Sequence, residues 1–213
     1  MRIRKNLQLA QFLNARILHD LAGAIGAVDN SLSLIGTSSK EISRQAKSLA
    51  IEESGNLVKR LNILRASYTY SDLGEQSSII YLIKVLKDFF SISKKIKLDL
   101  EFEGGILYLD AKLAKAALCL VMISSEKIYF SGKVDLFCSR DKENTSIRII
   151  ANAAKNLLAT NDSIKVFTTD KITSQIDIQN CREYYINELC KSIGYKVTAN
   201  IKDKTLELHL LSQ

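Results

Sequence analysis

The first third of the chain has apolar residues spaced three and four apart along two long stretches. In the stretch from Asn6 to Ile35 they fall in one stripe when the chain turns about 100° per residue, and they are Leu13, Ile17, Leu21, Ala24, Val28, Leu32 and Ile35. The stretch that runs to about Tyr70 repeats in the same way, at Ile42, Ala46, Leu49, Glu53, Leu57, Leu61, Leu64 and Tyr68, with Glu53 as the one charged residue of the series. Both patterns predict amphipathic helices.

The link between these two stretches is short. Gly36 suits the end of the first helix, and Ser38 followed by Glu41 predicts a capping box that starts the second. A short link between two helices, each about 45 Å long, makes an antiparallel hairpin. Because two helices alone bury only a seam, the pattern predicts a homodimer in which two hairpins form a four-helix bundle.

The polar stretch from Ser71 to Ser78 predicts a boundary between a helical domain, 1–73, and a second domain, 74–213. The pattern after it predicts helices at Ile79–Phe90, Ala111–Ser125 and Ser174–Ile193. It predicts strands at Lys97–Glu103, Lys133–Ser139, Thr145–Asn152, Tyr195–Asn200 and Thr205–Leu211, with Gly104-Gly105 turning into Ile106–Leu109. This order predicts an α+β sandwich with helices on one face of a mostly antiparallel sheet.

The candidate chemistry lies on the first helix, at His19-Asp20. His19 is roughly opposite the apolar stripe and shares its face with Phe12, Arg16, Gly23, Gly26 and Asn30. Each glycine costs about 1 kcal/mol relative to alanine in a helix, so we interpret the bare backbone as room for a partner to dock. A lone surface histidine on a helix usually has no function, and the hypothesis therefore depends on the whole set. We interpret His209, which alternates with Leu208 and Leu210, as a solvated surface residue on the same strand face as Glu207.

Composition describes an ordinary soluble protein, with 213 residues, 46% of them hydrophobic and 25% charged. No apolar run is long enough to span a bilayer, and no secretory segment follows the basic start, so we expect a cytoplasmic protein. The cysteines, which are Cys119, Cys138, Cys181 and Cys190, are far apart inside apolar patterns. This spacing predicts buried free thiols and no metal site.

The net charge of +7 raises the possibility of nucleic-acid binding. Residues 1–76 carry ten Lys/Arg against seven Asp/Glu, and residues 77–213 carry twenty against sixteen. The excess positive charge is therefore divided between the two parts of the chain and is not concentrated in one stripe. It is as compatible with a partner that has an acidic pocket as with the phosphates of a nucleic acid. We expect no nucleic-acid partner and no membrane partner.

The run from Leu13 to Leu21, Leu-Asn-Ala-Arg-Ile-Leu-His-Asp-Leu, resembles the ChpT-type histidine phosphotransferases. The similarity continues through 26–32 and 64–68 and in the element order of the remainder. The resemblance implies that His19 takes a phosphoryl group from the aspartate of one receiver domain and passes it to another. It also implies a homodimer, and a second domain that is a degenerate relative of the kinase ATP-binding (Bergerat or GHKL) domain. The implied partners are receiver domains of a CckA-type hybrid histidine kinase and of CtrA-type and CpdR-type response regulators.

The second domain can be compared with what nucleotide binding requires. A kinase domain of this type needs an asparagine on its first helix to help hold magnesium, and Gly-rich loops that approach the phosphates. The stretch 111–125 has no asparagine, the chain has no Gly-x-Gly, and Ala151–Lys155 stands where Asp-x-Gly-x-Gly would be expected. We therefore expect no ATP, no cofactor of the chain's own, and Mg²⁺ supplied by the receiver.

The chemistry of phosphotransfer leads to a hypothesis about the neighbours of His19. Asp20 would orient the imidazole or stabilise its charge, and Arg16 would contact the phosphoryl group or the receiver's acidic rim. The docking residues in the same hypothesis are Phe12, Gly23, Gly26, Ala27 and Asn30. The alternative for Asp20 and Arg16 is an ordinary exposed i,i+4 pair, worth a few tenths of a kcal/mol.

Two positions depart from the histidine kinase and phosphotransferase pattern. Ala24 replaces the usual proline five residues after the histidine, which makes the docking geometry less secure. Gly23 replaces the Thr or Asn that orients water in kinases with phosphatase activity, so we expect no dephosphorylation by that route. The alternative function is a non-catalytic helical scaffold that binds or inhibits a response regulator. An ATP-dependent kinase would need the glycine loops that are missing, and a DNA-binding protein would show a strongly salt-dependent affinity for DNA.

Overall fold

The computed structural model describes residues 2–36, 39–69, 76–141, 144–155, 162–168 and 175–213. The helices in these ranges are α1 (Arg2–Ser33), α2 (Lys40–Tyr68), α3 (Ile79–Phe90), α4 (Ala111–Glu126), α5 (Asp162–Thr168) and α6 (Cys181–Lys191). The strands are β1 (Gln76–Ser78), β2 (Ile96–Phe102), β3 (Tyr108–Asp110), β4 (Gly132–Asp141), β5 (Asn144–Ala153), β6 (Tyr195–Lys202) and β7 (Thr205–Ser212). The predicted fold class, a helical hairpin followed by an α+β sandwich, is confirmed.

The hairpin of α1 and α2 turns at Gly36, whose φ is +94°. The predicted capping box at Ser38 and Glu41 is wrong, because the N-cap of α2 is Ser39, whose hydroxyl accepts a hydrogen bond from the Ile42 backbone N–H at 3.4 Å. Ser38 lies outside the described residues. Glu41 instead accepts a hydrogen bond from Arg44 at 2.8 Å on the surface of α2.

The hairpin leaves apolar side chains exposed along both helices. Leu18, Ile25 and Leu32 of α1 lie seven residues apart and are 66%, 54% and 52% exposed. Other large apolar side chains of the two helices are also exposed, namely Leu7, Ile42, Leu49, Ile51, Val58 and Leu61. A residue spacing of seven keeps side chains on one helix face. The hairpin alone therefore cannot cover its apolar surface.

The second domain is built on a sheet with the strand order β2-β4-β5-β7-β6. β2 and β4 pair in parallel, and the other neighbours pair in antiparallel, as the predicted sandwich requires. One face of this sheet is buried under helices, and α4 is its centre: Ala116, Ala117, Cys119, Leu120 and Val121 have no exposed surface. The nearly all-apolar sequence of α4 is explained by this central position.

The segment after Gly104-Gly105 was predicted to continue as a strand from Ile106 to Leu109. The strand is β3, Tyr108–Asp110, and it pairs with β1 in a separate two-stranded sheet, not with β2. Both glycines have positive φ, 75° and 63°, so the chain turns sharply there. The strand beside β2 is β4, which pairs with it in a register that places Ile96 opposite Gly132.

The last helix was predicted over Ser174–Ile193, but α6 begins only at Cys181. Ser174 is outside the described residues. The Asp177 carboxylate accepts hydrogen bonds from the backbone N–H groups of Gln179, at 2.8 Å, and Asn180, at 3.0 Å. Such a local turn competes with helix formation and delays the start of α6. The short helix α5 was not predicted.

The end of α2 is attached to the second domain by several contacts. The ring of Tyr68 lies 5.4 Å from the ring of Tyr185, whose hydroxyl donates to the Ser67 carbonyl at 3.3 Å. Lys115 of α4 donates to the Thr69 carbonyl at 2.6 Å. The predicted boundary at residue 73 lies outside the described residues, but these contacts fix how the hairpin enters the sandwich.

Candidate functional site

His19 stands outward from the middle of α1. Its side chain is 80% exposed, whereas Ile17 and Leu21, on the predicted apolar stripe, are half-buried. The ring nitrogen Nδ1 lies 3.5 Å from Oδ1 of Asp20. A proton on Nδ1 would face this carboxylate and leave the lone pair of Nε2 pointing away from it. An accessible imidazole nitrogen with a free lone pair can act as a nucleophile.

Asp20 and Arg16 are less exposed than His19, at 28% and 30% of their side chains. Nε of Arg16 lies 3.4 Å from Oδ1 of Asp20, one helical turn away. The other end of the same guanidinium, Nη2, lies 3.7 Å from Oε2 of Glu126, at the end of α4. Arg16 is therefore held between two carboxylates, so it is not the freely exposed partner of an i,i+4 pair.

Glu126 and Arg182 belong to this site and were missed by the sequence reasoning. The Arg182 guanidinium binds the Glu126 carboxylate with two hydrogen bonds, from Nη1 to Oε1 at 2.7 Å and from Nη2 to Oε2. A cavity of about 170 Å³ next to them is lined by Asp20, Arg60, Ile63, Leu64, Phe89, Met122, Glu126 and Arg182. In the sequence, Glu126 stands out only as a charged residue at the end of the apolar helix α4. Its pairing with Arg182 could not be predicted from a local pattern, because the two residues are 56 positions apart.

The residues that were predicted to dock a partner lie along α1. Gly23 and Asn30 are exposed, and Phe12, Gly26 and Ala27 are half-buried. A Cβ added at Gly23 or Gly26 would meet no atom within 4 Å, so neither glycine is required by packing within the chain. The helix brings Phe12, Gly23 and Asn30 to about the same side as His19, while Ala27 lies about 80° away, on the side of Asp20.

His209 differs from His19 in accessibility. Its side chain is 33% exposed, and its Nε2 lies 2.9 Å from Oε1 of Glu207 on the same strand face, as predicted. Opposite Arg148 in the sheet register, it lines a groove of about 460 Å³ on the outer face of the sheet. Its Nε2 is therefore engaged, whereas that of His19 is not engaged by Asp20.

The cysteines are buried free thiols, as the sequence predicted. Burial raises the pKa of Cys119 and of Cys190 to about 12 and that of Cys138 to about 11. Among the described residues, no group of three or more His, Cys, Asp or Glu is placed to hold a metal ion. No helix in the described part of the chain is long and apolar enough to cross a membrane.

Comparisons with solved structures identify the fold. A bacterial phosphotransferase superposes with a TM-score of 0.81 at 20% identity, covering 96% of both chains, hairpin included. The histidine kinase domain of a blue-light activated histidine kinase from Erythrobacter litoralis (TM-score 0.49, 12% identity) is covered over 95% of its length by 88% of this chain. The Acinetobacter baumannii histidine kinase AdeS (TM-score 0.48, 15% identity) is covered over 97% by 92% of this chain. The last two scores are too low to add to the fold assignment, which depends on the first structure.

Comparison with curated proteins gave no match. The family model described as histidine phosphotransferase C-terminal domain matches residues 82–205, which is more than half of the chain. The match begins in α3 and ends at the start of β7, so it identifies the second domain independently of the His19 segment. The chain therefore belongs to the histidine phosphotransferase family.

Proposed function

We propose that this protein relays a phosphoryl group between the aspartates of response-regulator receiver domains through His19, without binding ATP. The observation that carries the proposal is the exposure of His19, whose Nδ1 faces the Asp20 carboxylate at 3.5 Å while its Nε2 is accessible. Membership of the phosphotransferase family supports the reaction class. The family model itself does not cover His19.

The chemistry needs little from the protein beyond positioning. The lone pair of Nε2 attacks the phosphorus of an aspartyl phosphate in line, the P–O bond to the aspartate breaks, and the carboxylate leaves with the electron pair. The proton on Nδ1 stays shared with Asp20, whose negative charge stabilises the imidazolium that forms. The reverse sequence on a second receiver returns the phosphoryl group to an aspartate.

The second domain supports a reaction without nucleotide. The buried helix α4 carries no asparagine, and β5 is followed by Ala154-Lys155 with no glycine. Backbone without glycine is a poor cradle for phosphate groups, and an α4 without asparagine lacks the side chain with which a kinase domain of this type helps to hold magnesium. In this proposal the magnesium that neutralises the phosphoryl oxygens comes from the acidic pocket of the receiver.

The proposed active form is a homodimer. The exposed Leu18, Ile25 and Leu32 continue along α1 at an interval that a second hairpin can cover in a four-helix bundle. The face of α1 that carries His19 is about 100° from Leu18, so the two surfaces do not compete. Receiver domains of a hybrid histidine kinase and of response regulators are the proposed partners.

The test is phosphotransfer from a receiver domain labelled with radioactive phosphate to the purified chain. We expect an acid-labile, base-stable label on the wild type, its loss in His19→Ala, and its full retention in His209→Ala. The second substitution is the matched control, because the chain has two histidines. Labelling that survives in His19→Ala, or transfer from ATP alone, would overturn the proposal. A scaffold that only binds its regulator would bind the receiver and acquire no label.

A further inference from the structure

A chain of alternating charges joins the second domain to His19. It runs from Arg182 to Glu126, Arg16 and Asp20, and the last contact, between Oδ1 of Asp20 and Nδ1 of His19, is 3.5 Å. Three elements contribute to it, α6, α4 and α1. The charged group that faces the same cavity from α2 is Arg60.

The Glu126 carboxylate is fixed by its partner. The side chain of Arg182 is 10% exposed, and a guanidinium that is almost buried requires a paired acid to offset its desolvation. The planar guanidinium of Arg182 donates one hydrogen bond to each oxygen of Glu126, and this pair of bonds fixes the orientation of the carboxylate. In that orientation Oε2 also faces Nη2 of Arg16 at 3.7 Å.

Arg16 then has its position set from both sides. Its buried Nε has no hydrogen bond among the described residues, and it faces Oδ1 of Asp20 at 3.4 Å without closing on it. If Glu126 did not attract the guanidinium, Arg16 could turn fully onto Asp20. Oδ1 of Asp20, which also faces Nδ1 of His19, would then pair more closely with the guanidinium and would be a weaker acceptor for the imidazole.

We propose that Glu126 and Arg182 are positioning residues for phosphotransfer: they hold Arg16 between two carboxylates, so that Asp20 stays available to orient the imidazole of His19. The second domain thereby contributes to the reaction without touching a phosphoryl group or a nucleotide. This inference rests on the proposed function of His19. It gives the α4–α6 ion pair a role in the reaction in addition to offsetting the desolvation of Arg182.

The first test compares transfer rates at varied concentrations of a phosphorylated receiver domain. We expect Glu126→Gln to lower the saturating rate by roughly tenfold, with an unchanged half-saturation concentration. The physical reason is that Asp20 would hold Nδ1 of His19 less well in the transition state, which weakens one charge-assisted hydrogen bond there. The control is Glu188→Gln, which removes a carboxylate from the exposed side of α6, where it pairs with Lys191 at 3.4 Å. We expect wild-type rates from the control.

A charge exchange separates positioning from simple support of the fold. The double variant Glu126→Arg with Arg182→Glu rebuilds an ion pair between α4 and α6 but puts a cation against Arg16. We expect it to stay slow; recovery of the wild-type rate would overturn the proposal. If either variant fails to fold, Arg16→Lys on α1 keeps the charge without the planar fork and is expected to show the same loss.

The second readout is the tautomer of His19, from ¹⁵N chemical shifts of the ring nitrogens, assigned with His209→Ala. We expect the proton on Nδ1 in the wild type and a shift towards Nε2–H in Glu126→Gln. Wild-type rates and an unchanged tautomer in Glu126→Gln would overturn the positioning role while His19→Ala still abolishes transfer. Transfer that survives in His19→Ala would instead overturn the proposed function.

Discussion

The two histidines show how the same side chain acquires different chemistry from its neighbours. Each lies beside one carboxylate, but Glu207 takes Nε2 of His209 at 2.9 Å, and Asp20 faces Nδ1 of His19 at 3.5 Å. The first arrangement occupies the nitrogen that would react, and the second leaves it accessible. The local sequence does not distinguish the two histidines, because an acidic residue lies within two positions of each.

Cys119 leads to a pH prediction at the same scale. Burial raises its pKa from 9.0 to about 12, so the native thiol keeps its proton at pH values where the unfolded thiol loses it. The stability contribution is full below about pH 9 and is lost as the pH rises towards 12. By linkage, the wild type should lose about 1 kcal/mol more than Cys119→Ala in free energy of unfolding between pH 8 and pH 10.

Urea unfolding at both pH values measures this difference. The alanine variant loses packing contacts equally at both pH values, and the pH-dependent part is therefore obtained by subtraction. Equal losses in the two proteins would contradict the assignment of a raised thiol pKa.

At the scale of elements, the periodic parts of the chain could be predicted and the long-range parts could not. The apolar repeats predicted α1 and α2, and the nearly all-apolar stretch after Asp110 predicted α4. The predicted bounds of α3 are those of the structure. The cap of α2 was misplaced by one residue because Ser38 and Ser39 are both suitable caps. The early start of α6 was wrong because an aspartate turn competes with the helix there.

The candidate site was predictable only where it is local. His19, Asp20 and Arg16 lie within one turn of one helix, and helical geometry alone brings them together. Glu126 and Arg182 come from two other helices, and their contact depends on how the hairpin packs on the sandwich. No spacing in the sequence encodes that packing.

The glycines of α1 give the prediction for this element. A Cβ at Gly23 or Gly26 meets open space, so Gly23→Ala with Gly26→Ala should stabilise the helix by about 1 kcal/mol per residue and raise Tm. If a receiver packs against this bare backbone, the added methyl groups should raise the half-saturation concentration for the phosphorylated receiver by roughly tenfold. Thermal unfolding and transfer kinetics measure the two effects.

Gly55→Ala is the matched control, because Gly55 lies in α2 and also has open space around it. It should raise Tm in the same way and leave transfer kinetics unchanged. A gain in stability with no change in receiver affinity for the α1 variant would mean that the receiver does not contact this backbone.

At the scale of the molecule, the hairpin exposes a row of large apolar side chains on α1, as a surface that another protein covers would. Ile25→Glu puts a charge in the middle of the row formed by Leu18, Ile25 and Leu32, and we expect it to convert a dimer to a monomer in light scattering after size exclusion. Ile80→Glu is the control, because Ile80 is 80% exposed on α3, outside the hairpin. A wild-type monomer, or a dimer that tolerates Ile25→Glu, would contradict the bundle.

The two domains have different roles in the proposed relay. The sheet and helices of the second domain are close-packed around α4, and its contacts hold α1 and α2 in place. In the proposed relay it therefore serves as a support that fixes the surroundings of His19. The hairpin carries the reacting nitrogen.

The most direct test of the central claim is the position of the phosphate on the chain. The purified chain is incubated with a phosphorylated receiver domain, digested at neutral or basic pH to preserve phosphohistidine, and sequenced by tandem mass spectrometry. The account predicts phosphate on His19, removed again when an unphosphorylated second receiver is added. Phosphate on His209 or on any residue other than His19, or a chain that stays unmodified while it binds the receiver, would contradict it.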